Sequence, residues 1–361
     1  MMARMMAAGD FTYTGLPARV VFGTGTLARA PSELERLGVA RALVLTTPAQ
    51  ADHGRAVAAR LGDRAAGVFS GAMMHTPVDV TLAALARMRE LGAGGVVAIG
   101  GGSTIGLGKA IAVRTGVPQL AIPTTYAGSE MTPILGETEA GQKTTRRSLD
   151  ILPEAVIYDV DLTLGLPVPL SGVSGMNAIA HAIEALYAED ANPIISLLAE
   201  QGIAALARAL PAITGAPSDR SARRDALYGA WLCGVCLGSV GMALHHKLCH
   251  VLGGTFGLPH AETHTVVLPH AVAYNAPAAP EAMVRAARAL GVPGIDAATG
   301  LYELAGAVGA CRSLAELGMP ADGIDRAADL AVQNQYWNPR PLERMAIREL
   351  LSRAFTGARP C

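Results

Sequence analysis

Nine histidines punctuate this chain of 361 residues, and five of them fall in one stretch, HHKLCHVLGGTFGLPHAETH, which opens at His245 and closes at His264. His246 and His250 are four apart, so on a helix they share a face. Asn177 and His181 do the same within GMNAIAHAIE. Imidazole changes charge near neutral pH and is also the commonest metal ligand. A single helical histidine is most simply packing. Two such pairs, followed after a proline turn by His260 and His264, suit a metal site or a proton-transfer site.

A second kind of chemistry lies upstream. The apolar run GVVAIG leads directly into GGGSTIGLGKA (100–110). Gly100, Gly101 and Gly102 let a backbone approach a pyrophosphate, and the N–H groups that open the following helix point at it. Ser103 and Thr104 add hydroxyl donors. The loop is not a P-loop, because no Gly-Lys-Ser/Thr follows at the right distance, and it is not the dinucleotide G-x-G-x-x-G with an acid at the next strand end. PTTYAGSEMTP (123–133) follows the next strand and crowds Thr124, Thr125 and Ser129 at the same end of the sheet. Two such loops at adjacent strand ends favour a shared ligand over turn-capping alone.

These groups need a frame, and the chain has two grammars. Up to residue 166, short β-rich runs at 19–23, 42–47, 95–100, 119–125 and 155–159 alternate with helical stretches at 34–37, 49–61, 81–91 and 105–115. Near-continuous Val/Ile/Leu strands spaced by helices predict a doubly wound parallel sheet, with the ligand outside the carboxyl ends of its strands. LGLPVPLSG (164–172) is a Pro/Gly break. Beyond it Ala/Leu-rich helical patterns dominate, at 176–188, 196–210 and 280–290. The expected organisation is therefore an α/β domain over 1–166 and an all-α domain over 167–361.

Composition narrows the class. Hydrophobic residues make up 51% and charged residues 16%, which excludes disorder, and a net charge of −1 offers no field for nucleic acid or an anionic membrane. The uncharged stretch 228–244 falls short of the ~20 apolar residues of a membrane span and is expected to be a buried helix. The start, MMARMMAAGDFTY, lacks the apolar core of a signal peptide. Five cysteines without framework spacing fit a reducing cytoplasm, and the C-x-x-C of Cys233 and Cys236 reads as core packing.

Taken together, GGGS after a strand, PTT-x-x-GSE, GM-x-A-x-x-HA-x-E and H-x-x-x-H-x-LGG followed by PH resemble the iron-containing alcohol dehydrogenases. The resemblance runs from RVVFGTG (19–25) to the last helix. It implies the dehydroquinate synthase-like fold, with a dinucleotide and a catalytic metal between the two domains. The family's four metal ligands, an Asp and three His, fall on Asn177, His181, His246 and His260. The first is a departure, since an amide is a poorer ligand than a carboxylate. That departure, with GQKTTRR (141–147), MALHHKLCHVLGG, LPHAETH and NPRPLE (338–343), is similar to the maleylacetate reductase branch, which works without a bound metal. Gly257 is one local mismatch, where that branch leads us to expect a polar residue.

The branch implies reduction of maleylacetate, an enone with two carboxylates, to 3-oxoadipate by NADH or NADPH. It implies no metal, and a homodimer as the assembly. Protonated His181, His246, His250 or His260 would then stabilise the developing enolate and supply its proton. Lys247, Arg340 and His264 are the candidates for meeting the dianion, and Lys143 matches a lysine near the cofactor. Thr46 and Thr47 stand where an NAD-strict enzyme would place an acid, so a 2′-phosphate meets no repulsion. The rival readings are a metal-dependent alcohol or aldehyde dehydrogenase, a reductase of a related unsaturated keto acid, and a non-catalytic dinucleotide sensor.

Overall fold

The computed structural model describes residues 11–292 and 294–361; the side chain of Lys143 lies outside the described residues. The strands are β1 (Arg19–Gly23), β2 (Ala42–Leu45), β3 (Ala65–Phe69), β4 (Gly95–Gly100), β5 (Gln119–Pro123), β6 (Ile134–Glu139), β7 (Gln142–Arg147) and β8 (Ala155–Asp159). Between them lie α1 (Ala30–Arg36), α2 (Ala51–Leu61), α3 (Val78–Glu90) and α4 (Gly102–Thr115). Six strands form one parallel sheet in the order β1-β8-β5-β4-β2-β3, while β6 and β7 pair as a separate antiparallel hairpin. Side chains alternate across a strand. In β2, Ala42 and Val44 therefore pack with Leu34, Val57 and Leu61 of α1 and α2. Leu43 and Leu45 pack on the other face with Leu85, Met88, Ile105 and Ile111 of α3 and α4.

The doubly wound sheet predicted from the sequence is present with two additions. The short run AAGVF, weak in strand formers, is the edge strand β3, and GQKTTRR supplies the second arm of the hairpin. Two strands are shorter than predicted, since β2 stops at Leu45 and β5 at Pro123. Strand order reverses between β2 and β4, so the loops that follow these two strands flank a topological switch point, where open α/β sheets bind ligands.

After β8 every regular element among the described residues is helical: α5 (Val168–Leu186), α6 (Pro193–Gly215), α7 (Arg220–Ser239), α8 (Leu244–Phe256), α9 (His260–Asn275), α10 (Pro280–Ala289), α11 (Ala297–Ala307), α12 (Gly323–Ala331) and α13 (Arg344–Thr356), together with short 3-10 turns. The Pro/Gly break is in part the first turn of α5. Its proline sits at the helix start, where the missing N–H costs nothing. All residues of α5 from Ser171 to Leu186 are buried. Its neighbour α6 is long and apolar enough to cross a membrane by length and composition, and it packs against α5 and α7. The stretch 228–244 is not one helix. The chain turns by 94° between α7 and α8, and Val240 lies in extended backbone at the break. Cys233 and Cys236 are buried as expected, and all five cysteines are free.

Candidate active site

The glycine loop joins β4 to α4. Gly100 has φ +150°, and a Cβ there would come within 2.5 Å of Thr104 Oγ1 and 2.8 Å of Gln50 Oε1. A Cβ on Gly102, the first residue of α4, would meet nothing within 4 Å. No side chain caps this helix start, so its N–H groups face open space in which a pyrophosphate would fit. Ser103 sits in the same first turn and is half-buried. Thr104 is fully buried, and its hydroxyl has no hydrogen-bond partner in the structure.

The neighbouring loops close around this start. Thr124 N–H donates to Gly100 O at 3.0 Å, and Gln50 Nε2 donates to Thr124 Oγ1 at 3.1 Å. The side chain of Thr125 lies beside Gly101, where an added Cβ would meet Thr125 Cγ2 at 3.1 Å. Lys109, buried on α4, donates through Nζ to Ser129 O at 2.5 Å, to Thr132 Oγ1 at 2.9 Å and to Ile134 O at 2.9 Å. Burial pulls its ammonium down to about 7, against the opposing carboxylate of Glu130. Of the two threonines after β2, Thr46 is buried, donating its hydroxyl to Gln50 O and its N–H to Phe69 O. Thr46 is thus committed to the edge strand that the sequence reading missed, and Thr47 is the one left at the loop surface.

From Ser171 onward helix α5 has no solvent face, so each polar side chain there must find a partner inside the protein. Glu184 accepts the backbone N–H of Ala243 at 2.9 Å and of His245 at 2.8 Å, and takes His246 Nδ1 at 2.7 Å. His246 Nε2 lies 2.8 Å from His181 Nδ1. His181 Nε2 in turn lies 3.3 Å from Ala127 O and 3.4 Å from Asn177 Nδ2. A line of polar groups therefore runs from a buried carboxylate through two imidazoles to an amide. It ends beneath the PTTYAGSE loop, where Gly128 and Gly234 of α7 approach so closely that a Cβ on Gly128 would meet Gly234 Cα at 2.9 Å. The nucleotide loops and the histidines thus meet at one place. Glu184 was not singled out from the sequence; its signal was an acid on the buried face of an otherwise apolar helix.

The remaining candidates divide. His250 is exposed, with its ring 6.4 Å from that of His246, and His260 is exposed, 4.3 Å from the ring of His264. Lys247 lies over the ring of Tyr336 at 5.6 Å. Arg340 donates to Tyr274 O at 3.0 Å and stacks on the Tyr274 ring at 4.3 Å. Asn338 of the same NPRP turn accepts the N–H of Leu244, so the motif braces the start of α8. His264 needs correction: it is fully buried, with Nδ1 3.0 Å from His245 Nε2, and has no face for a substrate. The expectation of a protonated His181 also changes. Burial, then the neighbouring His246, pushes this imidazole well below its usual range, so it is neutral at pH 7. Gly257, the local mismatch, ends α8 at φ +67°, a left-handed position that favours glycine over the polar residue expected there.

The positions that the resemblance assigns to a metal make a poor ligand set. An amide, the weaker ligand, replaces the carboxylate, while His181 and His246 still converge 2.8 Å apart. Among the described residues, the one trio of His, Cys, Asp or Glu donors within 4.8 Å of one another is a different one, His245, Cys249 and His264.

Comparison with known proteins places this geometry. The family model for iron-containing alcohol dehydrogenases matches residues 17–160, and that for the family's C-terminal region matches 172–355. The chain is 59% identical over 350 residues to a maleylacetate reductase of Rhizobium sp., covering 97% of this chain and 99% of that protein. The crystal structure of maleylacetate reductase from Agrobacterium tumefaciens superposes with a TM-score of 0.94 at 58% identity, covering 98% of this chain and 100% of that one. An iron-containing alcohol dehydrogenase from Corynebacterium glutamicum gives 0.92 at 43% identity, covering 97% and 98%. With both halves matched in order and over nearly their whole length, this chain belongs to the iron-containing alcohol dehydrogenase family.

Proposed function

We propose that this protein is a homodimeric reductase that transfers hydride from NADH or NADPH to the carbon–carbon double bond of maleylacetate or a substituted analogue, without a metal. The observation that carries the reading is the amide of Asn177, which ends the line Glu184–His246–His181–Asn177 where the family's metal site has a carboxylate. Identity of 58–59% to maleylacetate reductases over the whole chain supplies the substrate class.

The cofactor supplies hydride. Hydride adds to the carbon β to the ketone, the electron pair moves onto the ketone oxygen as an enolate, and a proton at the adjacent carbon completes 3-oxoadipate. The chain's part is to bind, orient and move the proton. The N–H groups that open α4 hold the pyrophosphate, with Ser103, Thr124, Thr125 and Ser129 around it. No carboxylate follows β2 until Asp52, which is paired with Arg55, so both nucleotides are accepted. The imidazole of His181, tied through His246 to Glu184, stabilises the enolate oxygen, and a proton can pass along the His181–His246 hydrogen bond. His250 and His260 lie at the exposed side of the cluster, where a proton from solvent would enter. Lys247, with Arg340, meets the two carboxylates.

The test is NADH oxidation with maleylacetate before and after dialysis against a strong chelator, with metal content measured alongside. Turnover should be unchanged, and Asn177→Asp should raise metal affinity without raising turnover. Activity lost on dialysis and restored by iron or zinc would falsify the metal-free reading and favour an alcohol dehydrogenase.

A further inference from the structure

Behind the line of active-site groups, two imidazoles and a thiol are turned towards one another. His245 and Cys249 are four apart on α8 and share a face, and His264 meets them from α9. All three are buried, and their donor atoms lie within 4.8 Å of one another. His245 Nε2 is 3.0 Å from His264 Nδ1 and 3.8 Å from Cys249 Sγ. We propose that His245, Cys249 and His264 form a binding site for one soft d10 cation, Zn²⁺ or Cu⁺, distinct from the residues that handle substrate.

Three observations support the site. The first is donor type: imidazole and thiolate nitrogen and sulfur are what borderline and soft ions select over oxygen. The second is spacing. Metal–nitrogen bonds of about 2.0–2.1 Å and a metal–sulfur bond of about 2.3 Å, at tetrahedral angles, hold two nitrogens about 3.3 Å apart and nitrogen and sulfur about 3.6 Å apart. The His245–His264 and His245–Cys249 pairs are within about 0.3 Å of that, and Cys249 and His264 lie within 4.8 Å of each other. The His181–His246 pair has a similar separation, but among the described residues it belongs to no trio of donors within 4.8 Å of one another, which is what distinguishes the two. The third is charge. Binding forms two metal–nitrogen bonds and one metal–sulfur bond and breaks the S–H bond, its proton leaving to solvent. Burial and then the Glu184 carboxylate hold the Cys249 thiol protonated before a metal binds, and a bound cation supplies the positive charge that offsets both. An ion so placed would staple α8 to α9, the helices that carry His246, His250 and His260. Its role is therefore structural, and it is independent of the proposed reaction.

Because the trio is buried, the ion should be present while the chain folds. The full-length protein would be produced in minimal medium supplemented with cobalt, a visible stand-in for zinc, and separately with copper. The expected result is one metal per chain in at least one arm. If cobalt binds, a thiolate-to-cobalt charge-transfer band should accompany it, a signature that no ligand set built on Asn177, His181, His246 and His260 can give. If copper binds, the metal should be cuprous and lost with Cys249. Cys249→Ser and His264→Gln should bring metal content below about a tenth of an equivalent and lower Tm relative to the loaded protein, whereas Asn177→Ala should keep it. The proposal fails if wild-type protein takes up neither metal, if bound cobalt shows no thiolate band, if Cys249→Ser retains the metal, or if Asn177→Ala is the variant that loses it. Chelator-resistant turnover tests the metal-free reaction separately, because it does not depend on whether this trio is loaded.

Discussion

Glu184 illustrates how a single carboxylate can serve both structure and chemistry. Two of its bonds go to the backbone at the start of α8 and one goes to His246, so the position of that ring is tied to the place where the helix begins. A carboxylate accepts hydrogen bonds only, which makes His246 Nδ1 a donor and leaves Nε2 to face His181. Glu184→Gln keeps the volume but presents an amide N–H to one of these partners. We expect turnover with maleylacetate to fall at least ~100-fold, as it should for His246→Ala, since that is the lower end of acid–base and oxyanion effects. NADH affinity, read by fluorescence, should barely change, because the nucleotide loops lie on the other half. A variant that lost cofactor affinity and turnover together would mark Glu184 as packing alone. The histidines were legible because five of them crowd into one stretch. Glu184 was not, because an acid in HAIE reads as a solvated helix face until the burial of all of α5 is known.

At the scale of elements, the glycine loop was legible from its place between an apolar strand and a helix. What could not be read was how differently its glycines behave. Gly102→Ala adds a methyl group to open space on the fold side, and on the ligand side fills the approach to the helix start. It should raise KM for NADH by about tenfold or more, ~1.4 kcal/mol, and leave Tm nearly unchanged. Gly100→Ala should do the reverse of a clean binding defect. Its Cβ collides with Thr104 and Gln50 at a φ that favours glycine, and stability should drop by about 1–3 kcal/mol. Thermal melts and NADH titrations of the two variants check this; equal melting losses would mean that Gly102 is not at an open cradle. The elements missed share a cause. In β3, Gly67 lies where a Cβ would meet Leu91 Cδ1 at 2.7 Å, so packing rather than strand propensity chose the residue. The β6–β7 hairpin turns at Ala140 and Gly141, both at positive φ, with alanine where Asn or Asp would have announced the turn.

Across the whole molecule, buried imidazoles make stability depend on pH. Burial pushes His181, His245 and His264 well below their usual range, and burial with the nearby Arg353 brings His270 down to about 4. The native protein holds these rings neutral, whereas the unfolded chain protonates them below about 6.5. The unfolded state therefore binds more protons as pH falls, and the histidines' contribution to stability is full above about 6.5 and lost progressively towards 4. His270 alone should contribute a slope of about 1.4 kcal/mol per pH unit across that window. The lowered carboxyls of Asp296 and Asp325 act only at lower pH, whereas the Glu130 carboxyl, raised by burial, opposes the histidines at the acid end. Urea unfolding at pH 7 and pH 5.5 measures the slope, and His270→Asn should flatten it by that amount. A stability independent of pH over this range would contradict the burial of these rings.

The strand order also bears on how the chain is made. Among the described residues β1 has one ladder neighbour, β8, which begins at residue 155. The strands between them in sequence can pair with one another as they leave the ribosome, whereas Val20, Val21 and Phe22 must wait until β8 has emerged. At ordinary synthesis rates that wait is on the order of ten seconds. The sheet can thus grow from its β3 edge towards β1, and the first of the described strands to be synthesised is the last to dock. An apolar segment near the start of the nascent protein remains available to chaperones, or to a second nascent copy, for most of the time the nucleotide-binding half is being synthesised.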